Sequence, residues 1–220
     1  APNFPLMVNY PFRSALAQAC DREILLENDA NCAAKGEWAA GAARGLTDFV
    51  MLTLGTGIGG GIVSGGRLLL GAHGKAAELG HLAVGGDAPC GCGALGHAEA
   101  VFGADPLGRA FSIAGIKGSL PGLWLRRDEP PVARVWDRAL DALARLIASL
   151  VHVLDPQAVI LGGGLSRNPG LVETLRPLIL RYTAPPFRDT LDIRLSSLGD
   201  DAALLGAVLG SDLEFDHLYT

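Results

Sequence analysis

No apolar run in the 220 residues reaches the roughly 18 needed to cross a bilayer. The opening A-P-N-F-P-L has neither the basic region nor the apolar stretch of a secretory signal. Ala1 stands first in place of a methionine, in what reads as the middle of a loop, so more N-terminal chain is expected upstream. Basic excess is missing as well. The formal net charge is −5, which gives no electrostatic footprint for nucleic acid or an anionic membrane. Four cysteines do not make a disulfide framework, because Cys90 and Cys92 sit close together while Cys20 and Cys32 stand alone; a reducing, cytoplasmic setting fits. Internal repeats and low-complexity tracts are absent. What is present is apolar and glycine-rich: 49% hydrophobic residues, mean hydropathy +0.30, and 30 clustered glycines. A large core is easily built, in one large domain or two small ones.

Strand and helix signals alternate along the chain, so the expected class is α/β. Residues 1–13 read as loop, and Ser14 to Cys20 as a short helix with Ser14 as its N-cap. Glu23 to Glu27 is a short apolar run of the kind found in buried strands, followed by an alanine-rich helix from Ala30 to Ala43. Phe49 to Leu54 predicts a strand that enters a glycine-rich turn, Gly55 to Gly61. Gly65-Gly66 then predicts a hairpin with a return strand at Arg67 to Leu70. A broken helix is expected from Glu99 to Ala114, and a surface segment with little pattern at 115–131. A long amphipathic helix is expected from Val132 to Leu154, stopped by Asp155-Pro156. Ala158 to Leu161 and Leu191 to Leu195 predict further strands. Leu171 to Tyr182 and Ala202 to Leu209 predict helices.

Four constellations carry chemistry. In E-L-G-H…C-G-C-G-A-L-G-H-A-E, residues 78–99, His81, Cys90, Cys92 and His97 can complete a closed tetrahedral zinc shell. C-x-C inside a glycine-rich loop without periodicity makes a poor core element, which weighs against two incidental thiols. Glu78 and Glu99 bracket the loop and could bind substrate hydroxyls; alone, they are better explained as solvated surface charges. The second constellation is T-L-G-T-G-I-G-G-G, residues 53–61. Gly55, Thr56, Gly57 and Gly59 could cradle a phosphate on backbone N–H groups, and neither a dinucleotide fingerprint nor a Walker loop is formed. The third is Gly162-Gly163-Gly164, directly after a buried strand, where bare backbone lets a flat ring or phosphate lie close; a simple strand-to-helix turn explains it nearly as well. In the fourth, Glu27 to Asn31, Asp29 could act as a general base beside Asn28, or could merely cap the helix that follows.

Together these residues resemble the ROK family (repressors, open reading frames, kinases), sugar kinases of the actin-like ATPase superfamily. The family pattern E-x-G-H, a gap, then C-x-C-G-x-x-G-C-x-E matches Glu78 to His81 and Cys90 to Glu99, with His97 where the family usually has a third cysteine. The N-D-x-N signature matches Asn28-Asp29-Ala30-Asn31, and the likeness spans nearly all of residues 1–210, leaving out 104–131. The resemblance implies an actin-like, ribonuclease H-like α/β lobe at residues 46–220. Residues 1–45 would then end an N-terminal lobe that is largely missing and carry the catalytic aspartate. It implies transfer of the γ-phosphoryl group of Mg-ATP to a hexose hydroxyl, with Asp29 as general base. Asn28, Asp29, Glu78, His81 and Glu99 would bind the sugar, with His81 also ligating structural zinc. A weak match places Asn3 near the sugar. The family favours homodimers and homotetramers. A D-x-G-G-T phosphate loop, expected in the N-terminal lobe, is absent from these residues. A sugar-responsive repressor with an upstream DNA-binding segment, or a non-catalytic remnant, are the alternatives.

Overall fold

A computed structural model describes residues 10–209. Asn3 lies outside the described residues. Among them, no helix is long and apolar enough to cross a membrane. The centre is a five-stranded mixed sheet. Its strands are β1 (Phe49–Leu54), β2 (Ile58–Ser64), β3 (Arg67–Leu68), β4 (Ala158–Gly162) and β5 (Ile193–Leu195), in the order β3-β2-β1-β4-β5. The first three form an antiparallel meander, and β4 and β5 add to β1 in parallel. The β2–β3 turn uses Gly65 and Gly66 at φ of 56° and 70°, the left-handed pair that a tight hairpin needs.

Helices cover both faces, because the central strands are apolar on both sides. On one face lie α3 (Ala104–Ile113), α4 (Leu120–Leu125), α5 (Pro130–Leu154) and α6 (Leu171–Tyr182). Val50, Leu52 and Leu54 of β1 meet Leu143, Leu146 and Ile147 of α5 in this larger core. On the other face lie α2 (Asp29–Ala40) and α7 (Asp201–Val208). Here Phe49 and Met51 pack with Ala33, Ala34, Trp38 and Ala202. The helices α2 and α7 touch backbone to backbone. A Cβ on Gly206 would stand 1.8 Å from the Cys32 carbonyl oxygen, and one on Gly36 would stand 2.0 Å from that of Ala202.

Four local expectations are corrected. The Glu23 to Glu27 run is not a strand; it is extended and irregular, and Leu25 and Leu26 are more than half exposed. Among the described residues no sheet edge pairs with it, and so short an apolar run does not specify a strand unaided. The helix α1 (Phe12–Cys20) starts two residues before Ser14, whose hydroxyl donates to the Pro11 carbonyl from inside the first turn. Only Gly55 to Gly57 form a turn after β1; Gly59, Gly60 and Gly61 belong to β2. Residues 115–131 are not a patternless surface. They hold α4, capped by Ser119, whose Oγ accepts from the Gly122 N–H, and they bury Trp124 completely. Trp124 crosses Trp136 edge to face at 5.1 Å, and its indole N–H donates to the Pro169 carbonyl at 2.9 Å.

Replacing Trp124 by alanine removes the largest buried side chain of this segment, leaving Leu123 as its other buried core residue. The Trp124→Ala protein should lose about 3–5 kcal/mol of unfolding free energy, as a large-to-small change in a packed core does. Urea denaturation gives the answer, and a loss below about 1 kcal/mol would contradict the packing described.

Candidate functional site

The site is assembled along β2. At the N-terminus of α2, Asn28 is the cap, its Oδ1 accepting from the N–H groups of Ala30 and Asn31 at 2.8 and 3.2 Å. Asp29 is the first helical residue; it is exposed, and its Oδ1 accepts from the Ala30 N–H at 2.9 Å. The cap expected as an alternative role for Asp29 is filled instead by Asn28, and Asp29 faces solvent one residue into the helix. The helix is set against β2 by small residues. A Cβ on Gly59 would come within 3.0 Å of the Ala30 Cβ, and one on Gly61 within 2.7 Å of the Ala34 Cβ.

The opposite face of β2 carries the metal-like loop. A Cβ on Gly60 would strike Leu79 at 2.4 Å, and one on Gly80 would strike the Ile58 carbonyl at 2.2 Å. So the glycine of E-L-G-H is required by contact with the strand. Ala77 enters this corner with φ of 65°, a left-handed conformation unusual for alanine, and Leu79 to His81 then form a 3-10 turn. Glu99 returns to the same strand: its Oε2 accepts from the Ile58 N–H at 3.0 Å. The half-buried Glu99 is thus held by the backbone, whereas Glu78 is exposed. His81 stands between them, with Nε2 3.7 Å from Glu99 and Nδ1 3.9 Å from Glu78.

One ligand atom from each of His81, Cys90, Cys92 and His97 falls within 4.8 Å of the others. The Cys92 Sγ and His97 Nδ1 are 3.4 Å apart. Donors bonded to one tetrahedral ion at about 2.0–2.3 Å stand roughly 3.6 Å from each other, so the set is of the right size and chemistry for a soft divalent metal. Gly93, at φ of 94°, closes the tight turn that brings Cys90 and Cys92 to the same side.

The two glycine turns meet at the carboxyl ends of adjacent parallel strands, Thr53 pairing with Gly162. This edge is where open α/β sheets take ligands. Gly163, at φ of 83°, passes so close to β1 that a Cβ would lie 2.6 Å from the Leu54 carbonyl oxygen. Gly55 and Thr56 follow, their carbonyls accepting from the N–H groups of Ala104 and Asp105 at the start of α3. Thr56 and Gly164 are exposed, and nothing stands within 4 Å of a Cβ on Gly55 or Gly164. Backbone at this edge is open to a ligand. Gly59, by contrast, lies inside β2, covered by Ala30.

Three charged residues escape a reading of the sequence. Glu27 accepts from the Asn28 N–H and the Asn31 side chain, and pairs with the buried Lys35 at 3.4 Å. Burial pushes the Glu27 carboxyl up, but these hydrogen bonds and Lys35 outweigh it and hold it below its ordinary value. Glu37 is wholly buried. Every residue from Ala30 to Trp38 is buried, so Lys35 and Glu37 have no solvent face; the alanine-rich composition of α2 hints at that burial but not at their partners.

A profile of the ROK family matches residues 1–210. The chain belongs to the ROK family. It is 39% identical to a glucokinase from Thermotoga maritima, over 94% of this chain and 71% of that protein. A ROK hexokinase from Thermus thermophilus superposes with a TM-score of 0.82 at 38% identity, covering 91% of this chain and 69% of that one. A ROK family glucokinase from Streptomyces griseus, solved with glucose and AMPPNP, superposes with a TM-score of 0.76 at 30% identity, covering 90% and 70%. This ROK chain therefore spans about 70% of the length of each protein it is compared with.

Gly57 keeps Glu99 in place, since a Cβ there would lie 2.0 Å from Glu99 Oε2 and 2.6 Å from Cδ. Gly57→Ala should displace the carboxylate and cost about 1–2 kcal/mol by stranding the Ile58 N–H. In a Glu99→Ala background the same substitution should cost at least about 1 kcal/mol less, because the obstacle is gone. Additive costs in that double-mutant cycle would show that the two groups do not meet.

Proposed function

We propose that this ROK chain is part of an ATP-dependent sugar kinase, moving the γ-phosphoryl group of Mg-ATP to a hexose hydroxyl. One observation supports this most. The N-terminus of α2 and the Glu99–His81 pair pack against the same stretch of β2, which begins at the turn holding Gly55 and Thr56. A sugar between Asp29 and Glu99 would thus lie beside a nucleotide held on the glycine turns.

The roles follow from donor and acceptor chemistry. Asp29, exposed at the mouth, accepts the proton of the attacking hydroxyl, while the Asn28 side-chain NH2 donates to a neighbouring sugar oxygen. Glu99 and Glu78 accept from sugar hydroxyls. Glu99 is the more rigid of the two, because the Ile58 N–H fixes one of its oxygens. His81 contributes one ring nitrogen to the sugar and the other to the metal. Backbone N–H groups at Thr56 and Gly57, in a turn that the Gly55 N–H closes by donating to the Gly57 carbonyl at 3.0 Å, and the bare backbone at Gly162 to Gly164 hold the nucleotide. Magnesium, when bound with ATP, neutralises charge on the phosphates. Transfer of this kind depends on positioning and electrostatics more than on covalent catalysis. The metal of the loop would be zinc, held by His81, Cys90, Cys92 and His97; with four protein ligands it would brace the sugar-binding residues and take no chemical step.

Two measurements test this. With glucose and related hexoses, the whole protein should consume ATP only when sugar is present, and Asp29→Asn should lower kcat at least about 100-fold, the worth of a general base. ATP hydrolysis indifferent to sugar, or an unimpaired variant, would sink the proposal. Independently, elemental analysis of protein purified without chelator should give about one zinc per chain. Stripping it should lower the melting temperature and weaken sugar binding; a metal content near zero counts against the site.

A further inference from the structure

Glu37 has no place in the chemistry above, yet it is the most thoroughly hydrogen-bonded carboxylate in the described residues. It lies on α2 about two turns beyond Asp29, with no exposed surface. One bond is local, from the Ala42 N–H at 2.6 Å. The others reach across the chain to the turn after β5. Ser196 Oγ donates at 2.5 Å, the Leu198 N–H at 2.9 Å, and the Ser197 N–H and hydroxyl at 3.3 Å each. Burial would raise this carboxyl, and the hydrogen bonds outweigh it and hold the group ionised below its ordinary value. Room for it is provided by Gly41, where a Cβ would stand 2.1 Å from Glu37 Oε2.

The turn it grips is also tied to β4, where the Ser196 N–H donates to the Leu161 carbonyl at 2.8 Å, and Leu198 packs against the smaller core. Ser197 and Gly199 are exposed, and Ser196 spends its second hydrogen bond inside the turn, accepting from the Gly199 N–H at 3.0 Å. Ser196 also faces the second glycine cluster: a Cβ on Gly162 would lie 3.3 Å from the Ser196 Cβ. At the outer end, Asp200 pairs with Arg167, which closes the turn that Gly163 and Gly164 begin. The post-β5 turn is therefore a wall of the Gly162–Gly164 edge, and the buried carboxylate grips three consecutive residues of it, Ser196 to Leu198, from the α2 side.

We propose that Glu37 is a positioning residue for the nucleotide, holding the Ser196–Gly199 turn against Gly162 so that the bare backbone after β4 keeps its shape. This rests on the reading of that edge as the nucleotide side of the site. An anion is needed for it. A glutamine amide would replace one oxygen by an NH2 group, setting it against either the Ser196 and Leu198 donors or the Ala42 and Ser197 donors and leaving those without an acceptor.

The test is titration of Mg-AMPPNP into the whole protein and three variants, with zinc content and melting temperature measured on each. Glu37→Gln and Gly41→Ala, the second keeping the charge but evicting the carboxylate, should each weaken Mg-AMPPNP binding about tenfold or more. Ser196→Ala, which removes one donor, should weaken it about threefold, and zinc content should be unchanged throughout. Melting temperatures that fall while nucleotide affinity stays within about twofold would reduce Glu37 to a folding role and overturn the proposal. If Glu37→Gln fails to fold, the same criterion applies to Gly41→Ala and Ser196→Ala. Wild-type protein that binds no Mg-AMPPNP would overturn the nucleotide reading itself, and the Glu37 proposal with it.

Discussion

Three consecutive residues without side chains, Gly59 to Gly61, set the geometry on which everything else depends. A strand offers alternate residues to its two faces. Gly59 and Gly61 admit α2 at the level of Ala30 and Ala34, while Gly60 admits the turn at Leu79. Both approaches are closer than any side chain would permit. Asp29 at the head of α2 and His81 beyond Leu79 are therefore referenced to one piece of backbone. A Cβ at any of the three would move one group relative to the other. The strand survives the conformational cost of so much glycine because β1 pairs with it from Ile58 to Val63 and both its faces are covered.

The other edge of the site is also made of backbone, for a different reason. Here β1 and β4 run parallel as neighbours, so their carboxyl ends finish side by side. Gly163 crosses β1 at the Leu54 carbonyl, in a left-handed conformation that a side chain would resist twice over, by its torsion and by contact. Beyond that crossing the backbone is open at Gly164 and Gly55. Close packing below and open space above give a ligand bare amides without a side chain in the way. The first glycine cluster thus does two jobs: Gly55 and Gly57 shape the turn, and the later glycines let helices approach.

How far this could be seen in the sequence depends on the range of the interaction involved. Both glycine clusters, the four metal-like ligands and the Asn28-Asp29 pair are local patterns, and most long elements follow from local periodicity. What local pattern could not show was the partner. Glu23 to Glu27 has a strand's composition but no strand beside it among the described residues. Trp124 lies in a stretch broken by prolines and glycines, and only its contacts with Trp136 and Pro169 make it core. Glu37 sits 160 residues from the Ser197 N–H it accepts from, so nothing near it in sequence announces its role. The same holds for Glu99. Sequence alone left it between surface charge and ligand, and its bond to Ile58, 41 residues away, is what fixes it at the site.

That bond also explains why a metal would matter here without touching the reaction. Between Leu82 and His97 only Cys90 and Gly96 are buried, so the loop has almost no core of its own. Its backbone turns on glycines at 85, 86, 93 and 96, all with positive φ, and is tied by two isolated bridges, Ala83 to His97 and Pro89 to Leu95. Such a segment cannot hold two imidazoles and two thiols together by packing alone. A dication joining His81, which stands beside Glu99, to Cys90, Cys92 and His97 would supply the missing cross-link and set the direction of the His81 ring. The substitution of histidine for a third thiolate does not undo this. The His97 Nδ1 already stands 3.4 Å from Cys92 Sγ, about the spacing of two ligands on one tetrahedral ion.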